Sequence, residues 1–266
     1  MNKILCVVCF CILGHGLSAL LAQEEEVTAA TKLYLTQPRY ATPYGETTLE
    51  EIKEVMDRVF VFLDETTPIG VIDKNTKKEI NDYDKIDKNS IIRQGIFSIT
   101  NYMWGVTYSA MLNAAEITDD QRYKNYVKKR LRFLAEVGPY FQKVLPEDNE
   151  DADPQMRQML RPEALDDAGA MCAAVIKARR AGIDFEGQPM IDRYMDHIMN
   201  KQYRLPDGTF ARNRPMRNTL WLDDMYMGVP AIANMGRLTG ETKYYDEAIK
   251  QVMQFADYMF LQEKGL

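Results

Sequence analysis

Cysteine and histidine are nearly missing from this 266-residue chain, which holds 4 Cys and 2 His. Cys6, Cys9 and Cys11 stand close to the N-terminus, leaving Cys172 alone in the rest of the chain. A lone cysteine forms no intramolecular disulfide, and Ala170, Met171, Ala173 and Ala174 around it mark it as a small buried apolar residue. Beyond the N-terminal segment only His197 remains. That disfavours a His-ligated metal centre and a Ser-His-Asp triad. There is no Gly-rich phosphate loop, no G-x-S-x-G and no paired C-x-x-C. Positive charge is in deficit, 33 Lys+Arg against 39 Asp+Glu for a net charge of −6. The deficit argues against nucleic acid or an anionic membrane surface as partner, so an anionic ligand would need a local cluster of bases.

Long apolar runs are scarce as well. The one at the N-terminus, residues 4–13 behind Lys3, is too short to span a bilayer comfortably. With Leu20-Leu21-Ala22 before Gln23 as a cleavage site, residues 1–22 read as a signal peptide. The product is expected in the periplasm or outside the cell, with no other membrane association. Residues 23–47 carry Pro38, Pro43 and Gly45 with little periodicity and read as an extended arm.

What is abundant is helical periodicity. Thr48-Leu49-Glu50-Glu51 forms a capping box, and Leu49, Ile52, Val55, Met56, Val59, Phe60 and Leu63 give an amphipathic helix. Residues 69–90 form a polar loop. Its aspartates lack the Gly and closing Glu that a calcium loop needs. Helices are expected over 96–116, 120–137, 162–181, 188–203, 219–236 and 241–262, with an acidic loop at 147–153 and no strand alternation. The class is all-α.

The helices repeat. Ile117-Thr118-Asp119-Asp120-Gln121-Arg122-Tyr123 is similar to Leu238-Thr239-Gly240-Glu241-Thr242-Lys243-Tyr244, each a short turn into an amphipathic helix. Gly105, Gly169 and Gly228, each before a small apolar residue, recur at intervals of about 60 residues, the length of one helical hairpin. Such hairpins stack as a solenoid or close into an α/α toroid. Six would need about 360 residues, and residues 48–266 are expected to supply about half to two-thirds of such a ring, incomplete at its C-terminus.

The chemically richest stretch is Thr219-Leu220-Trp221-Leu222-Asp223-Asp224-Met225-Tyr226-Met227-Gly228. It sets two carboxylates beside an indole at a helix start, with Asn218 or Thr219 as cap. The bland reading is that Asp223 and Asp224 neutralise the positive end of a helix dipole. The repeat supplies the other. Trp104 precedes Gly105, Asp166 and Asp167 precede Gly169, and Asp223 and Asp224 precede Gly228, so stacked hairpins would bring these groups to one height. A helix N-terminus lowers a carboxyl pKa, whereas a second carboxylate and burial against an aromatic raise one member of the set, which suits a proton donor. Trp104 is expected to stack on a sugar face or to serve as core. Arg212, Arg214 and Arg217 are expected to grip a carboxylate or to form a solvated basic loop.

Trp221-Leu222-Asp223-Asp224-Met225-Tyr226-Met227 resembles the signature of glycoside hydrolase family 105, the unsaturated rhamnogalacturonyl hydrolases, related to the family 88 unsaturated glucuronyl hydrolases. Tyr102-Met103-Trp104-Gly105-Val106-Thr107-Tyr108, Leu165-Asp166-Asp167-Ala168-Gly169-Ala170 and Gly236-Arg237-Leu238-Thr239-Gly240 are similar to further family segments, in the same order. The resemblance implies an (α/α)6 toroid and no metal or organic cofactor. It also implies a substrate that is an oligosaccharide already cut by a lyase, with a C4=C5 double bond in its terminal uronic acid. An aspartic acid protonates the double bond, water adds at C5, and the hemiketal opens to release the remaining sugar. On this likeness Asp223 is the acid/base, Asp167 the second catalytic Asp and Trp104 an aromatic beneath the ring. Asp224 stands where many members carry Gly. Asp224, Trp221, Arg212, Arg214 and Arg217 remain substrate-binding candidates. The function expected is hydrolysis of unsaturated uronyl ends from pectin or rhamnogalacturonan. The alternatives are another two-carboxylate toroid glycosidase, a non-catalytic glycan-binding repeat protein, or an inactive fragment.

Overall fold

A computed structural model describes residues 48–148 and 151–261. The expected signal peptide and arm lie outside the described residues. The chain divides into a unit 1–52 and a unit 53–266. Helix α1, Leu49–Thr66, begins in the first unit, where Thr48 and Glu51 form the expected capping box: the Thr48 N–H donates to Glu51 Oε2 (2.8 Å) and the Glu51 N–H to Thr48 Oγ1 (3.2 Å).

Three hairpins follow. The first pairs α2, Tyr102–Thr118, with α3, Gln121–Val144. The second pairs α5, Leu165–Arg180, with α6, Gln188–Asp196, which runs on into a π-helical turn, His197–Lys201. A short helix α4, Pro154–Leu160, precedes the second pair. The third pairs α7, Leu222–Thr239, with α8, Thr242–Met259. The turns have local causes. Asp119 takes up a left-handed conformation (φ 57°) after α2, and the Asp120 side chain accepts from the Arg122 N–H (3.0 Å) to start α3. Gly240 closes α7 at φ 76°, which glycine adopts without strain.

The first helices of the three hairpins lie side by side with α5 in the middle, packed on α2 and on α7. Glycine allows it. A methyl group on Gly105 would stand 2.4 Å from the carbonyl carbon of Ala170, and one on Gly169 would stand 2.5 Å from the carbonyl oxygen of Met227. The backbones are therefore in contact at two of the repeat glycines, and the third, Gly228, lies beneath the Leu165 side chain. The class is all-α, arranged as an arc of an α/α toroid, with Tyr108, Leu131, Leu134, Ile176 and Ile191 fully buried between the helix layers.

Several elements differ from the sequence expectation. Helix α3 continues through Gly138-Pro139 to Val144, because Val137, Gly138 and Phe141 carry its buried seam past the proline and packing outweighs the lost hydrogen bond. Helix α4 follows the acidic loop directly, in a stretch where no helix was expected. Asp153 caps it, accepting from the Met156 N–H (2.8 Å), and Pro154 fills the first helical position, where no N–H is needed. Val71–Asp73 and Ser90–Ile92 pair antiparallel as β1 and β2, too short to show alternation in sequence. Asn218 and Thr219 do not cap α7. Thr219 pairs instead with Arg212 across a backbone bridge, and Trp221 stands at the cap position with no side-chain bond.

Gly169→Ala should destabilise the chain by at least the about 1–3 kcal/mol typical of overpacking, since its methyl meets backbone rather than a movable side chain. Urea unfolding measures this, and wild-type stability in the variant would contradict the close contact.

Candidate active site

The contact at Gly169 sets the first turns of α5 and α7 together. Asp166 comes from α5, Asp223 and Asp224 from α7, and carboxylate oxygens of all three lie within 4.8 Å of one another. Such a group has the donor chemistry for a cation, and the cation among them is a guanidinium. Arg212 Nε donates to Asp224 Oδ2 (2.5 Å) and Nη2 to Asp224 Oδ1 (2.7 Å), a two-point bond. Nη2 also donates to Asp166 Oδ2 (3.2 Å) and stands 3.6 Å from Asp223 Oδ2. The guanidinium lies 4.0 Å over the Trp221 ring. The bridge between residues 212 and 219, with N–H···O bonds of 2.8 and 3.3 Å, holds Arg212 over the two helix starts.

These contacts divide the carboxylates by role. Asp224 is 3% exposed. Burial raises its carboxyl pKa above the ordinary value, and the two-point bond to the Arg212 guanidinium opposes that rise. The paired carboxylate in turn raises the pKa of Arg212. Asp223 is the half-exposed member, with 51% of its side chain accessible, a long contact to Arg212 and its Oδ1 accepting from the Asp224 N–H (3.0 Å).

Two sequence expectations change here. Asp167 is not in the cluster. Its Oδ1 accepts from the Tyr102 N–H at the start of α2 (2.7 Å) and its Oδ2 from Gln158 Nε2 (3.2 Å), so it ties α5 to α2 and α4, with burial raising its pKa. The neighbouring Asp166 joins Asp223 instead, since consecutive helix positions project about 100° apart. Trp104 offers no face to a ligand. It is 3% exposed, its ring stacks on Phe97 (5.0 Å between centroids), and its Nε1 donates to Tyr126 Oη (3.1 Å). Trp221, 42% exposed, is the accessible indole of the site. Arg214 and Arg217 stand apart from Arg212 in their contacts: Arg214 Nη2 donates to the Glu163 carbonyl (3.3 Å), and Arg217 Nε donates to Tyr203 Oη (3.1 Å).

Beside the cluster opens a cavity of about 460 Å³, lined by Arg212 and Asp224 and by His197, Lys201, Tyr203 and Arg214. The sequence pointed to neither His197 nor Lys201. Both lie in the π-helical turn after α6, which carries no sequence signature of its own.

A family model described as Glycosyl Hydrolase Family 88 matches residues 71–266, more than half of the chain. The chain belongs to this family. Its matched span contains every residue of the carboxylate cluster, Arg212 and the neighbouring cavity. Among solved structures it is similar to the crystal structure of a possible member of the GH105 family from Klebsiella pneumoniae subsp. pneumoniae MGH 78578, at 15% identity and a TM-score of 0.54. The likeness covers 91% of this family 88 chain and 55% of the Klebsiella chain, so this chain spans little more than half the length of that relative. At that identity the likeness establishes the fold. A comparison with curated proteins gives no significant match.

Arg212→Ala leaves the buried Asp224 carboxylate without its partner. It should cost about 2–3 kcal/mol in urea unfolding, below the value for a fully buried pair because Arg212 is 22% exposed. Adding Asp224→Asn should return part of that loss, and additive costs would contradict the coupling. Burial, reinforced by Lys201, holds the His197 pKa below its ordinary value. The unfolded chain therefore takes up that proton first, so the contribution is complete above about pH 6.5 and is lost as pH falls below it. Wild type should lose more stability than His197→Gln between about pH 7.5 and pH 5. Parallel pH profiles would contradict this.

Proposed function

We propose that this site hydrates the C4=C5 double bond of a terminal unsaturated uronyl residue, with Asp223 as the proton donor. The observation that carries the reading is the division of roles. Of the three clustered carboxylates, Asp223 alone is half exposed and free of a short bond to Arg212. The protonated Asp223 gives its proton to C4, and positive charge develops at C5, shared with the ring oxygen. The carboxylate left behind lies 3.6 Å from Arg212 Nη2, which stabilises it. Asp223 then takes a proton from water as that water bonds to C5, completing a hydration in which no atom is left unaccounted for. The C5 hemiketal opens to a ketone, and the C1–O bond breaks as the remaining sugar departs. Trp221 gives the ring an apolar surface on the side that Arg212 does not cover.

Membership of family 88 supports hydrolase chemistry on an unsaturated uronyl end, and the resemblance of residues 221–227 to the family 105 signature motivates a rhamnogalacturonyl end from lyase-cut pectin as the substrate. The N-terminal leader read from the sequence supports a periplasmic or secreted enzyme. A second reading has one observation in its favour: carboxylates within 4.8 Å of one another also suit double displacement on a saturated glycoside, for which retaining enzymes use a separation of about 5–5.5 Å.

Lyase-generated rhamnogalacturonan fragments should lose the ultraviolet absorbance of the conjugated double bond in the presence of the chain. Asp223→Asn should slow that loss by about 10²–10⁴-fold, the range for removing a general acid. Undiminished activity in Asp223→Asn would remove Asp223 from the role. Cleavage of a saturated aryl uronide with no loss of that absorbance would favour the second reading.

A further inference from the structure

If Asp223 protonates a uronyl ring, the ring's carboxylate needs a counter-charge close by. Arg212 meets little of that need, because Nε and Nη2 are engaged with Asp224 and Asp166. Its Nη1 makes no hydrogen bond among the described residues, and Arg212 lines the 460 Å³ cavity. Around the same cavity stand Arg214 and Lys201, both exposed cations, the acidic Glu163 beside Arg214, and His197, 6% exposed. Among the described residues His197 Nε2 is buried with no hydrogen-bond partner. A buried imidazole nitrogen left without a partner costs stability unless something else meets it, and such groups are rare in folded chains. Each cation keeps a partner at the surface, Arg214 through its bond to the Glu163 carbonyl (3.3 Å). Arg214 Nη2 is 3.9 Å from the Glu163 carboxylate, and Lys201 reaches Asp196 (2.6 Å) through a side chain 67% exposed.

We propose that this cavity is a carboxylate subsite, in which Lys201, Arg214 and His197 receive the anionic group of a uronic acid. The inference deepens the reading of Asp223 as a uronyl proton donor and rests on it for the substrate class. It places recognition of the acid group on the loop 211–215 and on the turn that ends α6, rather than on the inner helices that carry the carboxylates. The π-helical turn has a direct consequence for the geometry: with five residues to a hydrogen-bonded turn it sets His197 and Lys201 at its two ends. Gln202 fixes the exit from the turn by donating through Nε2 to the carbonyl of Ala211 (2.8 Å), which fastens the turn to the loop that carries Arg212 and Arg214.

The probe is sodium glucuronate, a saturated uronic acid that binds without reacting, with glucose as the neutral counterpart and sodium sulfate as a bare oxyanion. The readout is the imidazole resonances of His197 in the full chain at constant ionic strength. They are told apart from those of His15 by His197→Gln. The groups acting on His197 are Lys201, which lowers its proton affinity, and the Gln202 side chain, Asp196 and Glu163, which raise it, with burial the largest influence and downward. An anion brought beside it adds to the upward set. Glucuronate should therefore move the His197 resonances saturably and raise their titration midpoint. Glucose should leave them in place, sulfate should act more weakly than glucuronate, and the double variant Lys201→Ala/Arg214→Ala should lose at least tenfold in glucuronate affinity while keeping the wild-type circular dichroism. No movement with glucuronate, equal movement with glucose, stronger binding of sulfate than of glucuronate, or wild-type affinity in the double variant would each overturn the subsite. None of these outcomes depends on turnover, so failure of the hydration chemistry and failure of the subsite are separately visible.

Discussion

Two backbone contacts hold the site in register. Where Gly105 meets Ala170 and Gly169 meets Met227, no side chain fits between the helices, so α2, α5 and α7 cannot slide or rotate past one another without a clash. Packing through larger side chains would set helix axes about 8–10 Å apart and leave several ridges into which each helix could settle. Contact through glycine leaves one register. That register puts the N-terminal turns of the three helices at one level, and the carboxylates follow from it: Asp166 beside Asp223 and Asp224, and Asp167 on the first N–H of α2.

Bringing three carboxylates together costs electrostatic energy that one guanidinium offsets. Arg212 does so unequally, with a two-point bond to Asp224, one bond to Asp166 and a long contact to Asp223. The inequality matters more than the attraction. Three equivalent carboxylates would share protons without assigned tasks, whereas a bound Asp224 and an accessible Asp223 are distinct in kind. Trp221 beneath the guanidinium fixes its plane, and the bridge between Arg212 and Thr219 fixes its position along the chain. A general acid beside a fixed positive charge can release its proton to a substrate and remain stabilised as an anion, which is what protonation of an enol ether demands.

Much of this was legible in the sequence, and the remainder was not for identifiable reasons. The all-α class, the hairpin period and the three glycines follow from periodicity and spacing, which are local properties. The Asp223-Asp224 pair beside Trp221 was visible as a motif, and the cysteine as buried packing, where the structure places it. Asp166 and Asp167 were visible from the residues only as a pair, and the family likeness pointed to Asp167. Choosing between them requires the rotation of α5 about its axis, which depends on contacts with two other helices. Trp104 looked like a platform because its position in the repeat matched that of the aspartates, yet its ring stacks on Phe97, which lies before α2 begins. His197 and Lys201 were not legible at all, since neither belongs to the repeat and the turn that presents them has no compositional mark.

The central claim is that the double bond, and not the glycosidic bond, is the first point of attack. Proton NMR of the earliest products formed in deuterium oxide tests it most directly. If the double bond is protonated first, the vinyl proton signal at C4 disappears in step with release of the sugar, and the released uronic acid carries deuterium at C4. A released uronic acid that still shows the C4 vinyl signal would contradict it, because the glycosidic bond would then have broken with the double bond intact.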